Sequence, residues 1–265
     1  VAVAAWVEAE QAADDQAQRR FVRDEDDILV VVLLDDRADD RQGARQDEGV
    51  DGLELNFSCP HMDREDMGSN IGKSEALCSV VTKAVKEVSR VPVWCKLTPS
   101  TTDIVVEAGA AFRGGADAIS SSNTFPSIPL IDPETLDFEA SVDGLTSSGG
   151  LGGPAILPLS LAKMASLTHA FPDKEFSGIG GIADFSHALN YFLLGCGTVQ
   201  VCTAAMLDHA IGPNVIRTLK QGMTDFLAGA GRQVLSGLGV GIGMGMFQQL
   251  GTAVFAAVQG GIRYN

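Results

Sequence analysis

The chain lacks the residue patterns that mark several common classes of protein. Its five cysteines form no CxxC pair, so the sequence contains neither a zinc ribbon nor an iron–sulfur cluster motif. The net charge is −15 and no stripe of lysine and arginine is present, which argues against a nucleic-acid partner and against an anionic membrane surface. An odd number of cysteines without a secretory signal predicts free thiols and a cytoplasmic location.

The two ends of the chain differ from its middle in composition. Residues 1–49 contain no lysine but fourteen acidic residues and six arginines, which is typical of a solvated or poorly ordered segment. Within them, the apolar run 28–34 predicts a buried strand. Residues 229–265 carry no charge from Gln233 to Ile262 and are rich in glycine, which disfavours a membrane-spanning helix. We therefore expect that end to be a buried or disordered tail.

The middle of the chain, residues 50–228, alternates predicted strands with predicted helices. The strands are 52–56, 91–97, 118–122, 175–179 and 198–201, and the helices are 74–89, 103–113, 159–170, 185–194 and 215–227. Such an alternation requires a parallel sheet covered by helices, and the spacing fits both a doubly wound sheet and a (β/α)8 barrel. A long excursion, 125–153, interrupts the pattern.

Polar residues and glycines follow the carboxyl ends of these strands, where α/β sheets place their active sites. Ordinary turns use the same residues, but five such strand ends are hard to explain by turns alone. Asn56 and Ser58 lie on one face of a strand, and an amide offers the donor and acceptor that pair with a cyclic imide. Cys59 is either a general acid or an inert buried thiol, and His61 is either catalytic or a surface residue.

Lys96 lies within the apolar strand VWCKL. A buried lysine is unfavourable unless an anionic or electron-rich group meets it, so the residue either faces such a ligand or extends to the surface. Asn123 and Thr124 repeat the amide and hydroxyl at the next strand end. The glycines of SGGLGG and GIGGI allow backbone N–H groups to approach a phosphate, and residues 201–203 precede a helix that could add further contacts.

Six motifs in this order, LELNFSCPH, VWCKLTP, SSNT, SGGLGG, GIGGI and TVQVCTA, resemble the flavin-binding barrel of the dihydropyrimidine and dihydroorotate dehydrogenases. The resemblance covers about residues 50–228. It implies a (β/α)8 TIM barrel of the dihydroorotate dehydrogenase type that binds FMN and reduces the 5,6-double bond of uracil or thymine. Cys59 would be the general acid that protonates carbon 5 of the pyrimidine.

The resemblance also implies binding roles for matched positions. The substrate would be held by Asn56, Phe57, Ser58, Asn123 and Thr124. The FMN would be contacted by Lys96, Gly153, Ile179, Gly180, Gly181, Cys202 and Thr203. His61 follows the Cys-Pro pair where the dihydroorotate enzymes usually have Asn, which favours uracil over orotate. Electrons would come from NADH through a separate subunit carrying FAD and iron–sulfur clusters, and the chain would form an oligomer.

The chain departs from the family pattern before residue 50 and after residue 228. The family has about a hundred residues and three strands before LELN, so we expect the first two strands to be missing, with 28–34 standing in for the third. A truncated or frame-shifted reading of a gene would explain both ends. An incomplete barrel exposes sheet edges. Two alternatives to the leading function therefore remain open: a dihydroorotate dehydrogenase, and a half-barrel without catalysis.

Overall fold

The structure is a computed structural model. It describes residues 2–5, 31–34, 52–58, 68–141, 145–146, 148–207, 217–226 and 228–229. These residues contain nine strands: β1 (Ala2–Ala5), β2 (Val31–Leu34), β3 (Gly52–Phe57), β4 (Val93–Leu97), β5 (Ala118–Ser121), β6 (Phe125–Ser127), β7 (Gly149–Leu151), β8 (Glu175–Ile179) and β9 (Thr198–Val201). Five α-helices are α1 (Glu75–Val88), α2 (Ile104–Gly114), α3 (Leu157–Ala170), α4 (Phe185–Leu193) and α5 (Thr203–Leu207). Short 3-10 helices span Gly68–Lys73 and Pro154–Ile156, and residues 217–226 are also helical.

Seven strands form one sheet in the order β1-β9-β8-β5-β4-β3-β2, and every pair in it is parallel. Parallel neighbours need a crossover connection, which α1, α2, α3 and α4 supply. The carboxyl ends of the strands therefore lie at one edge of the sheet. In the described part of the chain this sheet is open, with β1 and β2 as its edge strands. It has seven strands, whereas a closed barrel of this type has eight.

Side chains fix where three of the helices begin. Ser74 caps α1, Asp103 caps α2 and Asp184 caps α4, each by accepting a hydrogen bond from a backbone N–H of the first turn. These groups satisfy donors that a helix leaves unpaired at its start. The α2 helix ends at Gly115, whose φ of 99° is readily adopted only by glycine.

The hydrophobic core lies between the sheet and the helices. Strand β4 shows how the sequence assigns its two faces, because Val93, Cys95 and Leu97 belong to this core while Lys96 between them does not. Cys95 Sγ lies 3.3 Å from the hydroxyl of Thr82 on α1, which identifies the helix-facing side. The other face of the sheet is where the polar residues of the strands collect.

The predicted elements are confirmed to within about two residues at each end. Within the apolar run 28–34, the structure has a strand, β2, which pairs with β3 in parallel. The described strands form an open sheet of seven, which agrees with the predicted incomplete barrel, and β1, which was not predicted, pairs in parallel with β9 at one edge. The long excursion contains the antiparallel pair β6 and β7.

Residues 230–265 of the predicted glycine-rich tail lie outside the described residues. Among the helices that the structure describes, none is both long enough and apolar enough to cross a membrane.

Candidate active site

The ends of β3 and β5 bring together an amide–hydroxyl cluster that consists of Asn56, Ser58 and Asn123. The Nδ2 of Asn123 donates to the Ser58 hydroxyl at 2.5 Å and lies 3.5 Å from Asn56 Oδ1. The Ser58 hydroxyl in turn donates to Asn56 Oδ1. Asn123 is 65 and 67 residues from its two partners in the sequence. Three of the five predicted substrate residues are therefore neighbours.

The other two predicted substrate residues lie elsewhere. Phe57 is 2% exposed and its side chain belongs to the hydrophobic core, because it points to the opposite face of β3 from Asn56. The structure does not bring its side chain to the amide–hydroxyl cluster. Thr124 is exposed, and a Cβ added to Gly150 of β7 would overlap its side chain. Thr124 thus lies against the glycine-rich segment.

Cys59 and His61 lie outside the described residues, so their predicted roles stay predictions. The structure does describe the other four cysteines, and all are free thiols. Burial raises the pKa of Cys78 and of Cys95 to about 12, and burial also raises the pKa of Cys196. These three thiols therefore stay protonated at neutral pH and are unsuited to acid–base exchange.

Lys96 is 1% exposed, so the alternative that it extends to the surface is wrong. Its Nζ lies 3.4 Å from Oε2 of Glu54, and both side chains are 2% exposed. The strand register places Lys96 directly opposite Asn56, so this ion pair lies immediately next to the amide–hydroxyl cluster. A protein group, Glu54, thus meets the buried lysine whether or not a ligand also does.

Glu54 belongs to a larger set of buried polar side chains, which we call the inner polar layer: Glu54, Lys96, Ser120, Ser177 and Gln200. Oε1 of Glu54 accepts hydrogen bonds from Ser120 Oγ at 2.5 Å and from Gln200 Nε2 at 2.7 Å. Gln200 Nε2 also lies 3.0 Å from Ser120 Oγ and 3.2 Å from Ser177 Oγ. The five side chains come from five neighbouring strands of the sheet.

Four members of this layer were not predicted from the sequence: Glu54, Ser120, Ser177 and Gln200. Two signals were available: Glu54 precedes Asn56 by two residues and so shares its face, and Gln200 interrupts the apolar strand TVQV. A polar residue in a buried strand needs a partner, as Lys96 does. Which strands supply the partners is decided by the sheet.

A glycine cradle, consisting of Gly153, Gly180 and Gly181 with Thr203, lies at the same edge of the sheet. The three glycines have φ values of 80°, 125° and 76°, a region that other residues rarely adopt. A Cβ on Gly153 would lie 3.2 Å from Cγ2 of Thr203, and one on Gly181 would lie 2.7 Å from Cβ of Leu157. Four of the seven predicted FMN residues are thus gathered around the start of α3.

The remaining predicted FMN residues, besides Lys96, border the glycine cradle. Ile179 is 8% exposed and ends β8 immediately before Gly180. The buried hydroxyl of Tyr191 donates to the carbonyl of Gly180 at 2.7 Å and lies 3.3 Å from that of Ile179, which holds this turn in place. Cys202 is half-buried and its Sγ lies 3.5 Å from Sδ of Met206. Among the described residues, no cluster of His, Cys, Asp and Glu could hold a metal ion.

The chain is similar to known proteins over about two thirds of its length. The chain is 38% identical to the chloroplastic dihydropyrimidine dehydrogenase (NADP(+)) of Arabidopsis thaliana over 68% of this chain and 43% of that protein. It is 38% identical to the NAD-dependent dihydropyrimidine dehydrogenase subunit PreA of Escherichia coli, over 70% and 45%. It is 36% identical to the catalytic subunit of dihydroorotate dehydrogenase B (NAD(+)) of Methanothermobacter thermautotrophicus, over 71% and 59%. The chain spans about half the length of these relatives.

The fold is also similar to that of a solved structure, the dihydroorotate dehydrogenase of Eimeria tenella in complex with ferulenol. The TM-score is 0.53 at 22% identity, over 69% of this chain and 51% of that one. Together with the parallel sheet, this likeness confirms the predicted TIM-barrel fold class. A profile of the dihydroorotate dehydrogenase family matches residues 16–227, so the chain belongs to that family.

Proposed function

We propose that this chain is the FMN-binding part of an oxidoreductase that reduces the 5,6-double bond of uracil or thymine. The observation that carries the proposal is the amide–hydroxyl cluster next to Lys96, at the carboxyl edge of a parallel sheet. Side-chain amides present donors and acceptors that match the imide edge of a pyrimidine. The names of the dihydropyrimidine dehydrogenase relatives support the same choice of substrate.

The residues present fit an FMN. The glycine cradle presents backbone without side chains at positive φ, so its N–H groups can approach a phosphate, and Thr203 lies beside Gly153. We assign the phosphate end to Gly153, Ile179, Gly180, Gly181, Cys202 and Thr203, and the electron-rich ring to Lys96. When bound, FMN supplies the two-electron chemistry that the protein side chains cannot. Lys96, held in a buried site, supplies positive charge there.

Within this proposal, Cys59 is the general acid that gives a proton to carbon 5 of the pyrimidine. In the sequence it directly follows Ser58, whose hydroxyl is part of the amide–hydroxyl cluster. Asn56, Ser58 and Asn123 orient the ring, and Thr124 and the backbone at Phe57 complete the binding site. A thiol suits this role because its proton is held loosely enough to transfer near neutral pH.

The proposal includes a second subunit. PreA and the dihydroorotate dehydrogenase B relative are both named as subunits, so a separate protein that carries NAD, FAD and iron–sulfur chemistry fits as the source of electrons. The four free thiols that the structure describes suit a reducing compartment such as the cytoplasm. We also propose that the chain forms an oligomer.

Orotate is the second candidate substrate, because the family profile and one of the relatives carry the dihydroorotate name. His61 after the Cys-Pro pair favours uracil, as do the dihydropyrimidine relatives. Turnover of orotate but not uracil by the purified chain would reverse this choice.

The test begins with the absorbance spectrum of the purified chain with and without added FMN. We expect a flavin spectrum with shifted bands, and then reduction of uracil by the flavin-loaded chain with an artificial electron donor. Cys59→Ala should retain FMN and lose most of the turnover, while Cys196→Ala, which changes a buried thiol of the hydrophobic core, should retain both FMN and turnover. A chain that leaves the FMN spectrum unperturbed is a half-barrel without catalysis, and the proposal is then withdrawn.

A further inference from the structure

The two carboxylate oxygens of Glu54 have different partners. Oε1 accepts from both Ser120 Oγ and Gln200 Nε2, while Oε2 faces the ammonium of Lys96 at 3.4 Å. Two donors from β5 and β9 therefore fix the plane of the carboxylate. Its remaining oxygen is directed at the lysine, and with 2% exposure for both side chains water screens this contact very little.

The distance between the charges is longer than in a tight charge-assisted hydrogen bond, which is about 2.7–2.9 Å. The contact between Lys96 and Glu54 is thus an ion pair rather than a tight charge-assisted hydrogen bond. Lys96 lies opposite Asn56 in the register of β3 and β4, next to the amide–hydroxyl cluster. The inner polar layer therefore determines how strongly the positive charge of Lys96 acts on that cluster and on a ligand bound beside it.

We propose that Glu54 is a positioning residue that holds Lys96 and offsets its positive charge, so that the flavin bound beside Lys96 is harder to reduce than it would be next to an unopposed lysine. This inference rests on the proposed function. A reduced flavin is richer in negative charge than an oxidised one, so a nearby carboxylate opposes reduction and a nearby ammonium favours it. Glu54 thus tunes the preference of the site for one redox state of FMN.

The experiment compares the dissociation constants of oxidised and reduced FMN in the wild-type chain and in Glu54→Gln under identical buffer conditions. The glutamine retains the shape and an oxygen for Ser120 and Gln200 but removes the charge. We expect the preference for reduced over oxidised FMN to increase about tenfold, which corresponds to about 30 mV for a two-electron couple. Glu54→Asp, which retracts the charge, should shift the preference in the same direction by less, and it replaces Glu54→Gln if that variant does not fold.

The matched control is Ser120→Ala, which removes a hydrogen bond to the same carboxylate and leaves both charges in place. It should lower stability without shifting the preference between the two redox states. An unchanged preference in both Glu54 variants, or an equal shift in Ser120→Ala, overturns the proposal. Failure of the wild-type chain to bind oxidised FMN is a different result, because it refutes the proposed function and with it any role of Glu54 toward a flavin.

Discussion

The inner polar layer and the glycine cradle lie on the same sheet, and they differ in what the side chains contribute. The layer puts two opposite charges and three neutral polar groups into a space with almost no access to water. The cradle works by leaving side chains out, at three positions with positive φ. The layer is stable only when each polar side chain has its hydrogen-bond or ionic partner. The cradle requires that its three glycines carry no side-chain atoms.

The two regions therefore fail in different ways. Loss of one member of the layer leaves a buried polar or charged group without its partner. This lowers the stability of the fold and changes the electrostatic field at the site. Addition of one methyl group to a glycine of the cradle forces the backbone to move. The cost in free energy comes from backbone strain and from overpacking against α3. The predictions below separate these two kinds of dependence.

Removal of the anion from the layer should have the largest effect. Glu54→Leu leaves the buried ammonium of Lys96 without its counterion, so we expect the free energy of unfolding to fall by about 3–5 kcal/mol. Chemical denaturation measures the change. The double variant with Lys96→Met should be clearly more stable than Glu54→Leu alone, because the unpaired charge is gone. A loss below about 1 kcal/mol in the single variant would mean that the ion pair contributes little to folding.

Addition of a methyl group to the cradle should have the next largest effect. In Gly181→Ala the new Cβ would lie 2.7 Å from Cβ of Leu157 and 2.8 Å from its backbone nitrogen, at a φ of 76°. Strain and overpacking together should lower the free energy of unfolding by about 2–4 kcal/mol, and FMN binding should weaken. Gly149→Ala is the matched control, because nothing lies within 4 Å of its added Cβ. Equal effects of the two changes would contradict the role of the cradle.

Two buried thiols, Cys78 on α1 and Cys95 on β4, give a smaller prediction that depends on pH. Burial raises the pKa of the Cys78 and Cys95 thiols from 9.0 to about 12, so these thiols ionise more readily in the unfolded chain than in the folded one. Their contribution to stability is complete below pH 9.0 and is lost as the pH rises toward about 12. Denaturation midpoints of Cys78→Ala plus Cys95→Ala should therefore fall less steeply with alkaline pH than those of the wild type. Parallel curves would show that these thiols do not ionise on unfolding.

Much of the fold follows from local signals in the sequence. Short β-branched runs alternate with amphipathic segments that begin at capping residues such as Ser74, Asp103 and Asp184, so the elements are predictable to within about two residues. The strand β1 was missed, because Ala2–Ala5 carries no turn or charge signal of its own and is recognised only by its pairing with β9.

The candidate site is only partly predictable from the sequence. Asn56 and Ser58 share a face by the two-residue period of a strand, and the glycines of the cradle are marked by their sequence. The period also places Phe57 on the opposite face, where the structure has it in the core. The resemblance alone assigned Phe57 to the substrate, and the alternation of the strand could have corrected it.

By itself the sequence determined most of the strands, which face each side chain of those strands occupies, and where glycine is needed. Only the tertiary structure decided what meets Lys96. Glu54 lies 42 positions before it in the chain and Gln200 is 146 positions from Glu54, so no local pattern connects them. The parallel register brings these positions side by side, because the sheet aligns strands by packing their apolar faces against the helices. A two-residue period fixes the face of a side chain, and the packed sheet fixes its neighbours.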